Sequence, residues 1–141
     1  MKIITVEKAG LLADFTVWGV SAEYAEFFLT KCAVVGPQVS LRPFLFNDTE
    51  HLDDKRQWLA AGAALWSRVY REAETSIAQV EAISAIRSLY YIAGLLGQGT
   101  ITTAISAWWK LTIELHQLPA VNRSAASPFD QAILKRPDVT H

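Results

Sequence analysis

The sequence predicts an α+β fold, in which a small N-terminal antiparallel sheet is followed by a bundle of three or four helices. Apolar and polar residues alternate over much of residues 3–20, which favours strands. From about Asp53 onward, apolar residues instead recur at helical spacing. The uncharged run at residues 88–109 is long enough for two helices with a turn between them. Together these patterns place the sheet first and the helices after it.

The predicted sheet has two or three strands. Residues 3–20 are interpreted as a β-hairpin whose turn lies at residues 8–10, with Asp14 on its partly wet face. Residues 39–46 form the third predicted strand. Pro43 favours an edge position there, because proline has no amide proton to donate to a neighbouring strand.

One short helix is predicted between these strands, at residues 22–32. Ser21 precedes it and has the hydroxyl that commonly caps free amides at a helix start. Gly36 and Pro37 are predicted to end this segment.

The helical half begins at residues 53–73, where small residues at 60–64 allow another helix to approach closely. The pattern then either breaks at residues 74–76, which we favour, or continues to about residue 96. Gly97 is the predicted stop, and a last helix over 101–116 with Thr100 or Thr102 as its cap would fold back on the one before it. A single membrane span over 88–109 is disfavoured, since it would place glycines, an amide and hydroxyls at the bilayer centre.

Length and composition fit one compact domain. The chain has 141 residues, of which 51% are hydrophobic and 19% charged. We predict a single domain over residues 1–119 and a loosely held tail over 120–141. The tail contains a possible short helix that starts near Pro128.

The charge and cysteine content exclude some function classes. A net charge of -1 and the lack of a basic stripe argue against nucleic acid and anionic membranes as partners. A single cysteine and a start interrupted by Glu7, Lys8 and Asp14, with no apolar signal segment, predict a cytoplasmic protein.

The most acidic stretch, residues 47–54, is the best candidate for chemistry. Carboxylates and His51 crowd together there, so a metal-assisted enzyme is one hypothesis. The spacing fits neither a calcium loop nor a zinc pair, and helix capping by Asp48 or Asp53 is the favoured interpretation. We therefore predict no metal and no cofactor.

Two other features are candidate catalytic or binding motifs. Cys32 beside Lys31 could act as a nucleophile with His51 or His116 as its base, but a lone cysteine on an apolar helix side is more often a core residue. The glycines at 94–99 lack the order and the lysine of a phosphate-binding loop, so they are interpreted as a helix turn.

Aromatic content is the remaining unusual feature, with five Trp, four Tyr and six Phe. The tandem pairs at 90–91 and 108–109 point about 100° apart on an α-helix, so one ring of each pair is predicted to face outward. Exposed aromatics are typical of surfaces that a partner covers. The predicted interface comprises Trp58, Trp66, Tyr91, Trp108, Trp109, Phe129 and Ile133.

These observations predict a non-catalytic protein interaction or assembly module, self-associating through its aromatic helix faces. An inhibitor or immunity protein belongs to the same class, and its acidic face would contact a basic partner site. The first alternative is a binder of a small apolar or aromatic ligand between helices, and the second is the enzyme around His51. The acidic face comprises Asp48, Glu50, Asp53 and Asp54.

Overall fold

The computed structural model describes residues 3–42 and 54–114, and it confirms the predicted α+β class. Within these residues a three-stranded antiparallel sheet comes first and the longest helices follow. A π-helical segment, Trp109–Glu114, continues the last α-helix. In chain order the elements are β1 (Ile4–Glu7), α1 (Lys8–Val17), α2 (Ala22–Thr30), β2 (Ala33–Val35), β3 (Gln38–Leu41), α3 (Lys55–Glu72), α4 (Ser76–Leu95) and α5 (Gly99–Trp108).

The chain divides into two compact units, residues 1–101 and 102–141. The first holds the sheet and α1 to α4, and the second holds most of α5 and the π-helical segment. The single domain over 1–119, the tail over 120–141 and the folding back of the last helix stay predictions.

The sheet has the strand order β1-β3-β2, so that β3 is central and both neighbours are antiparallel to it. Ile4 pairs with Leu41 and Val6 with Val39, and all four side chains are buried on one face. On the other face the hydroxyls of the paired residues Thr5 and Ser40 lie 2.9 Å apart. The alternation predicted for the first strand is therefore correct for residues 4–7.

The hairpin predicted over residues 3–20 is wrong, because the chain becomes helical at Lys8. Leu11, Asp14 and Phe15 are the buried residues of α1, at the three- and four-residue spacing of a helix face. Asp14 was assigned to a wet face of a strand, yet it is 2% exposed. Because one of the three buried positions of α1 is a carboxylate, the apolar residues alone do not show the helical spacing.

A polar cluster explains how α1 tolerates this buried carboxylate. Asp14 accepts a hydrogen bond from Arg68 Nε and another from Arg71 Nη1, each 2.9 Å long. The carboxylate of Glu72 accepts from the backbone amide of Glu7, with both oxygens at 3.2 Å, at a helix start that lacks a side-chain cap. Through these hydrogen bonds the C-terminal end of α3 binds both the end of β1 and helix α1.

The connection between α1 and α2 is held by Gln57 at the start of α3. Its side-chain amide donates to the carbonyl of Gly19 (3.1 Å) and accepts from the amide of Ser21 (2.7 Å). Gly19 has a positive φ of 83°, which favours glycine and ends α1. Ser21 caps α2 as predicted, since its hydroxyl accepts from the amide of Tyr24 at 3.1 Å.

The second strand, β2, was not predicted. Gly36 and Pro37 do not follow a helix directly but form the two-residue turn of the β2–β3 hairpin, with Gly36 at a φ of 57°. The apolar residues on both sides of a Gly-Pro pair were the signal that indicated a hairpin. The third predicted strand is confirmed over residues 39–41, whereas residues 43–46 lie outside the described residues.

The two long helices pack against each other as the small residues of α3 allow. Ala60, Ala61, Ala63 and Ala64 are all at most 1% exposed. The favoured break at 74–76 is confirmed, with Thr75 capping α4 by accepting from the amide of Ala78 at 3.1 Å. Close helix packing needs small side chains at the contact, which this block provides.

The predicted end of α4 at Gly97 is confirmed. Gly97 has a φ of 72°, and the amide of Gln98 donates to the carbonyl of Ala93 at 2.8 Å. The predicted cap at Thr100 or Thr102 is wrong, because α5 already begins at Gly99 and includes both threonines. The change to π-helical geometry at Trp109 was not predicted either.

Candidate interaction surface

Helix α4 is apolar on two opposite faces. The buried face packs in the core of the first unit and comprises Ala82, Ile83, Ile86, Leu89, Tyr90 and Ala93. Opposite it, at steps of three or four residues, lies a row defined here as the α4 outer face: Ile77, Val80, Ser84, Ser88, Tyr91 and Leu95. Of these, Ile77 is 76% exposed, Val80 53% and Leu95 86%. A surface helix ordinarily carries charged residues at such positions.

Charged residues lie only at the flanks of the α4 outer face. Glu81 and Arg87 are the charged residues of α4, and they lie on opposite sides of the row. The guanidinium of Arg87 lies over the ring of Tyr91, 5.6 Å from its centroid. Tyr91 also makes an edge contact with the buried Tyr90 at a centroid distance of 5.6 Å. These contacts hold the partly exposed Tyr91 ring in a defined orientation.

Three of the predicted interface aromatics are buried. Trp58 is 6% exposed, Trp108 7% and Trp109 2%. The prediction that one tryptophan of the 108–109 pair faces outward is wrong, because α-helical geometry ends at Trp108 and the assumed angular step no longer holds. Their part in an interface stays a prediction, but the exposed surface on which it depended is absent. Phe129 and Ile133 lie outside the described residues.

Two predicted interface aromatics do keep partly exposed rings. Tyr91 belongs to the α4 outer face, whereas Trp66 lies on α3 and lines a cavity. Within the 90–91 pair, one tyrosine is buried and the other partly exposed, as helical spacing predicts. Sequence reasoning missed the aliphatic members of the outer face, although Ile77, Val80 and Leu95 show the spacing of a second apolar stripe.

The predicted acidic face is described only at Asp54. That residue is the N-cap of α3, where its carboxylate accepts from the amide of Gln57 at 3.2 Å. The cap was expected one or more residues earlier. Within residues 3–42 and 54–114 no group of three His, Cys, Asp or Glu side chains could hold a metal ion. The remaining candidates, Asp48, Glu50, His51 and Asp53, lie outside the described residues.

Cys32 has the surroundings of an unreactive thiol. Its Sγ donates to the carbonyl of Phe28 at 3.3 Å, and the side chain is half-buried. Burial raises the pKa of the Cys32 thiol to about 11. A thiol with a raised pKa holds its proton near neutral pH, which is the opposite of what a nucleophile requires.

Alkylation tests this assignment. At pH 8 we expect iodoacetamide to modify Cys32 about 100-fold more slowly than free cysteine, because two pKa units reduce the thiolate fraction by that factor. The rate should rise as the pH approaches 11. Measured by mass spectrometry, a rate at pH 8 that matches free cysteine would contradict the assignment. Unfolded protein in urea is the control that should react like the free amino acid.

A smaller apolar surface lies at the edge of the sheet formed by β2. Val34 and Val35 of the edge strand β2 are 43% and 74% exposed, and Phe27 of α2 is 36% exposed. The ammonium of Lys31 lies 5.5 Å from the centroid of the Phe27 ring and covers part of it. Short edge strands flanked by lysine are common in soluble proteins and are protected against pairing. The α4 outer face is therefore the stronger candidate for an interface.

No family model, curated protein or solved structure matches this chain. None of the helices in the described residues combines the length and the apolar composition that crossing a membrane requires. Function has to be inferred from the geometry of the described residues alone.

Proposed function

We propose that this protein is a non-catalytic assembly module, in which the α4 outer face of one chain binds the same face of a second copy. The observation that carries the proposal is that the row Ile77 to Leu95 is apolar or small, free of charge, and located opposite the buried face. Exposed apolar rows of this kind are typical of helix faces that a partner covers.

The length of the row suits a helix-to-helix contact. Ile77 and Leu95 are 18 residues apart, which corresponds to about 27 Å along the helix. Apolar side chains lie at both ends of this distance and two serines lie between them, so no charged group would be buried against a second helix. A contact of one helix pair is smaller than the interface of an obligate dimer. We therefore expect association in the micromolar range or weaker.

The residue order along the row is self-complementary about Ile86. Ile77 and Leu95 each lie nine residues from it, and Ser84 and Ser88 each lie two residues from it. An antiparallel pair of α4 helices would therefore match large residues with large ones at both ends and serines with serines in the middle. Small residues at the centre permit close approach. A two-fold symmetric contact of this kind closes on itself as a dimer.

Other observations favour binding over catalysis. Asp54 is used as a helix cap, and the raised pKa of Cys32 disfavours a thiolate nucleophile. The net charge of -1 offers no attraction for nucleic acid. A single half-buried thiol suits a reducing compartment, so we place the module in the cytoplasm.

The molar mass in solution tests the proposal. By light scattering at high protein concentration we expect a value approaching twice 15.6 kDa. The double variant Ile77→Lys with Leu95→Lys should return it to 15.6 kDa, because four lysines would face the apolar rows of the pair. Val17→Lys is the matched control, since Val17 is 77% exposed and Ile77 76%, but Val17 lies on α1. A monomeric wild-type protein, or dissociation by the control as well, would contradict the proposal.

Disulfide trapping tests the antiparallel arrangement. In a Cys32→Ser background, a chain carrying Ile77→Cys is mixed with one carrying Leu95→Cys and oxidised. Antiparallel pairing brings these two positions together and should yield the mixed dimer preferentially on a non-reducing gel. Preferential homodimers of each single variant would instead indicate parallel helices.

A further inference from the structure

A cavity of about 270 Å³ lies between the start of β1, the end of α3 and the first turns of α4. Its apolar lining includes Ile4, Trp66 and Val69. All of these elements belong to the first compact unit. The described residues that line the cavity include no member of the α4 outer face, although Glu81 borders both. The volume lies at the small end of the range for ligand sites, so any occupant has few heavy atoms.

The charged residues of this lining all have the same sign. Glu72, Glu74 and Glu81 line the cavity, and no Lys, Arg or His is found among the described residues that do so. Glu72 already interacts with the amide of Glu7 and, at 3.7 Å, with Arg68. Glu74 lies in the turn between α3 and α4, and no described residue donates a hydrogen bond to it. Its carboxylate is therefore available to a ligand.

We propose that this cavity binds a small organic cation, an amine whose apolar body packs on Trp66 and Val69 and whose ammonium group interacts with Glu74. The combination of an apolar wall, an aromatic ring and carboxylates at one cavity favours this class over others. A neutral apolar molecule would gain nothing from the Glu74 carboxylate, and an anion would be repelled by it. A bare metal ion would gain nothing from the apolar wall, whereas the apolar body of an amine packs on Trp66 while its ammonium group interacts with Glu74.

The recognition is expected to be weak for a minimal probe. A ligand of about ten heavy atoms in a partly open cavity corresponds to a Kd of about 1 mM. Proton NMR shifts of the Trp66 indole and of neighbouring amides report binding in this range. They also locate the ligand, which separates this site from the dimer contact.

The test uses three matched probes on the full chain: phenethylammonium, the neutral 2-phenylethanol and the anionic phenylacetate. We expect phenethylammonium to shift the Trp66 indole resonance in a saturable way. The neutral probe should bind at least about tenfold more weakly, and the anion should not bind measurably. Equal binding of the cationic and neutral probes, or shifts confined to other parts of the chain, would overturn the proposal.

Variants make the test specific to the cavity. Glu74→Gln should weaken phenethylammonium binding about tenfold, and Trp66→Leu should weaken it by a similar factor while keeping an apolar wall. Glu26→Gln, an exposed position on α2, is the charge-matched control and should leave the Kd unchanged. Unchanged binding by Glu74→Gln, in protein whose spectrum shows it to be folded, would rule out the assigned role. The single variant Leu95→Lys changes the end of α4 remote from the cavity and should bind the probe normally, so this site and the dimer can fail independently.

Discussion

Replacing Asp14 with alanine is expected to lower the free energy of unfolding by about 3 kcal/mol. Asp14 is 2% exposed, and its carboxylate pairs with both Arg68 and Arg71. Removing it leaves the Arg68 guanidinium, whose side chain is only 19% exposed, without its main counter-charge. Because the Arg71 side chain is 44% exposed and keeps contact with water, we place the loss at the low end for a buried pair. Urea denaturation followed by circular dichroism measures this change.

Three companion variants identify the source of the loss. Arg71→Met should cost about 1 kcal/mol or less, because Arg68 still neutralises the carboxylate. Combining Asp14→Leu with Arg68→Met and Arg71→Met should recover much of the stability lost by Asp14→Ala, since the buried charges are removed together. Only the partly exposed Glu72 carboxylate loses a counter-charge, and it still accepts from the amide of Glu7. Glu26→Ala, at an exposed position on α2, is the control and should change stability by less than about 0.5 kcal/mol. An Asp14→Ala protein as stable as the wild type would show that the cluster does not hold α1 to α3.

Replacing Trp109 with alanine is expected to lower the free energy of unfolding by about 3–5 kcal/mol. Its ring is 2% exposed, so the substitution removes a large buried side chain and leaves a cavity. In contrast, Tyr91→Ser should cost about 1 kcal/mol or less in stability, because Tyr91 is only partly buried, yet it should weaken self-association. Thermal unfolding and light scattering on the same samples separate the two effects.

Protein concentration has to be held low and constant in this comparison, because association stabilises the folded chain by mass action. A Trp109→Ala protein that keeps its melting temperature but loses its dimer would return Trp109 to the interface, as the sequence alone suggested. A Tyr91→Ser protein that unfolds would assign that ring to the core instead.

The two variants also distinguish two ways in which aromatic residues are used in this chain. The high aromatic content predicted exposed aromatic surface, but three of the tryptophans are buried. The large apolar residues that stay exposed in the described part of the chain are mostly aliphatic, and three of them, Ile77, Val80 and Leu95, form the row on α4. Large planar side chains contribute most when buried, which explains why composition alone overestimated their exposure.

Local chemistry determined much of this protein without reference to distant contacts. Ser21, Thr75 and Gly97 are recognisable by residue type as two caps and a stop, because a side-chain oxygen or a positive φ acts within four residues. The positions of the two long helices were also predicted locally, because apolar residues three and four apart lie on one face of a helix. The fold class followed from the order of such segments along the chain.

Only the tertiary structure decided the features that depend on partners far away in sequence. Residues 13–17 alternate in a way that favours a strand, yet they are helical, and Asp14 in this helix pairs with Arg68 and Arg71, more than fifty residues later. The start of α1 depends on Glu72 rather than on a local cap. Helix α4 likewise has two faces with apolar residues at helical spacing, and this spacing does not show which face is buried. Packing against α3 decides which of the two enters the core. Burial and ion pairing depend on residues that are close in space but distant in the sequence, so local sequence patterns do not predict them directly.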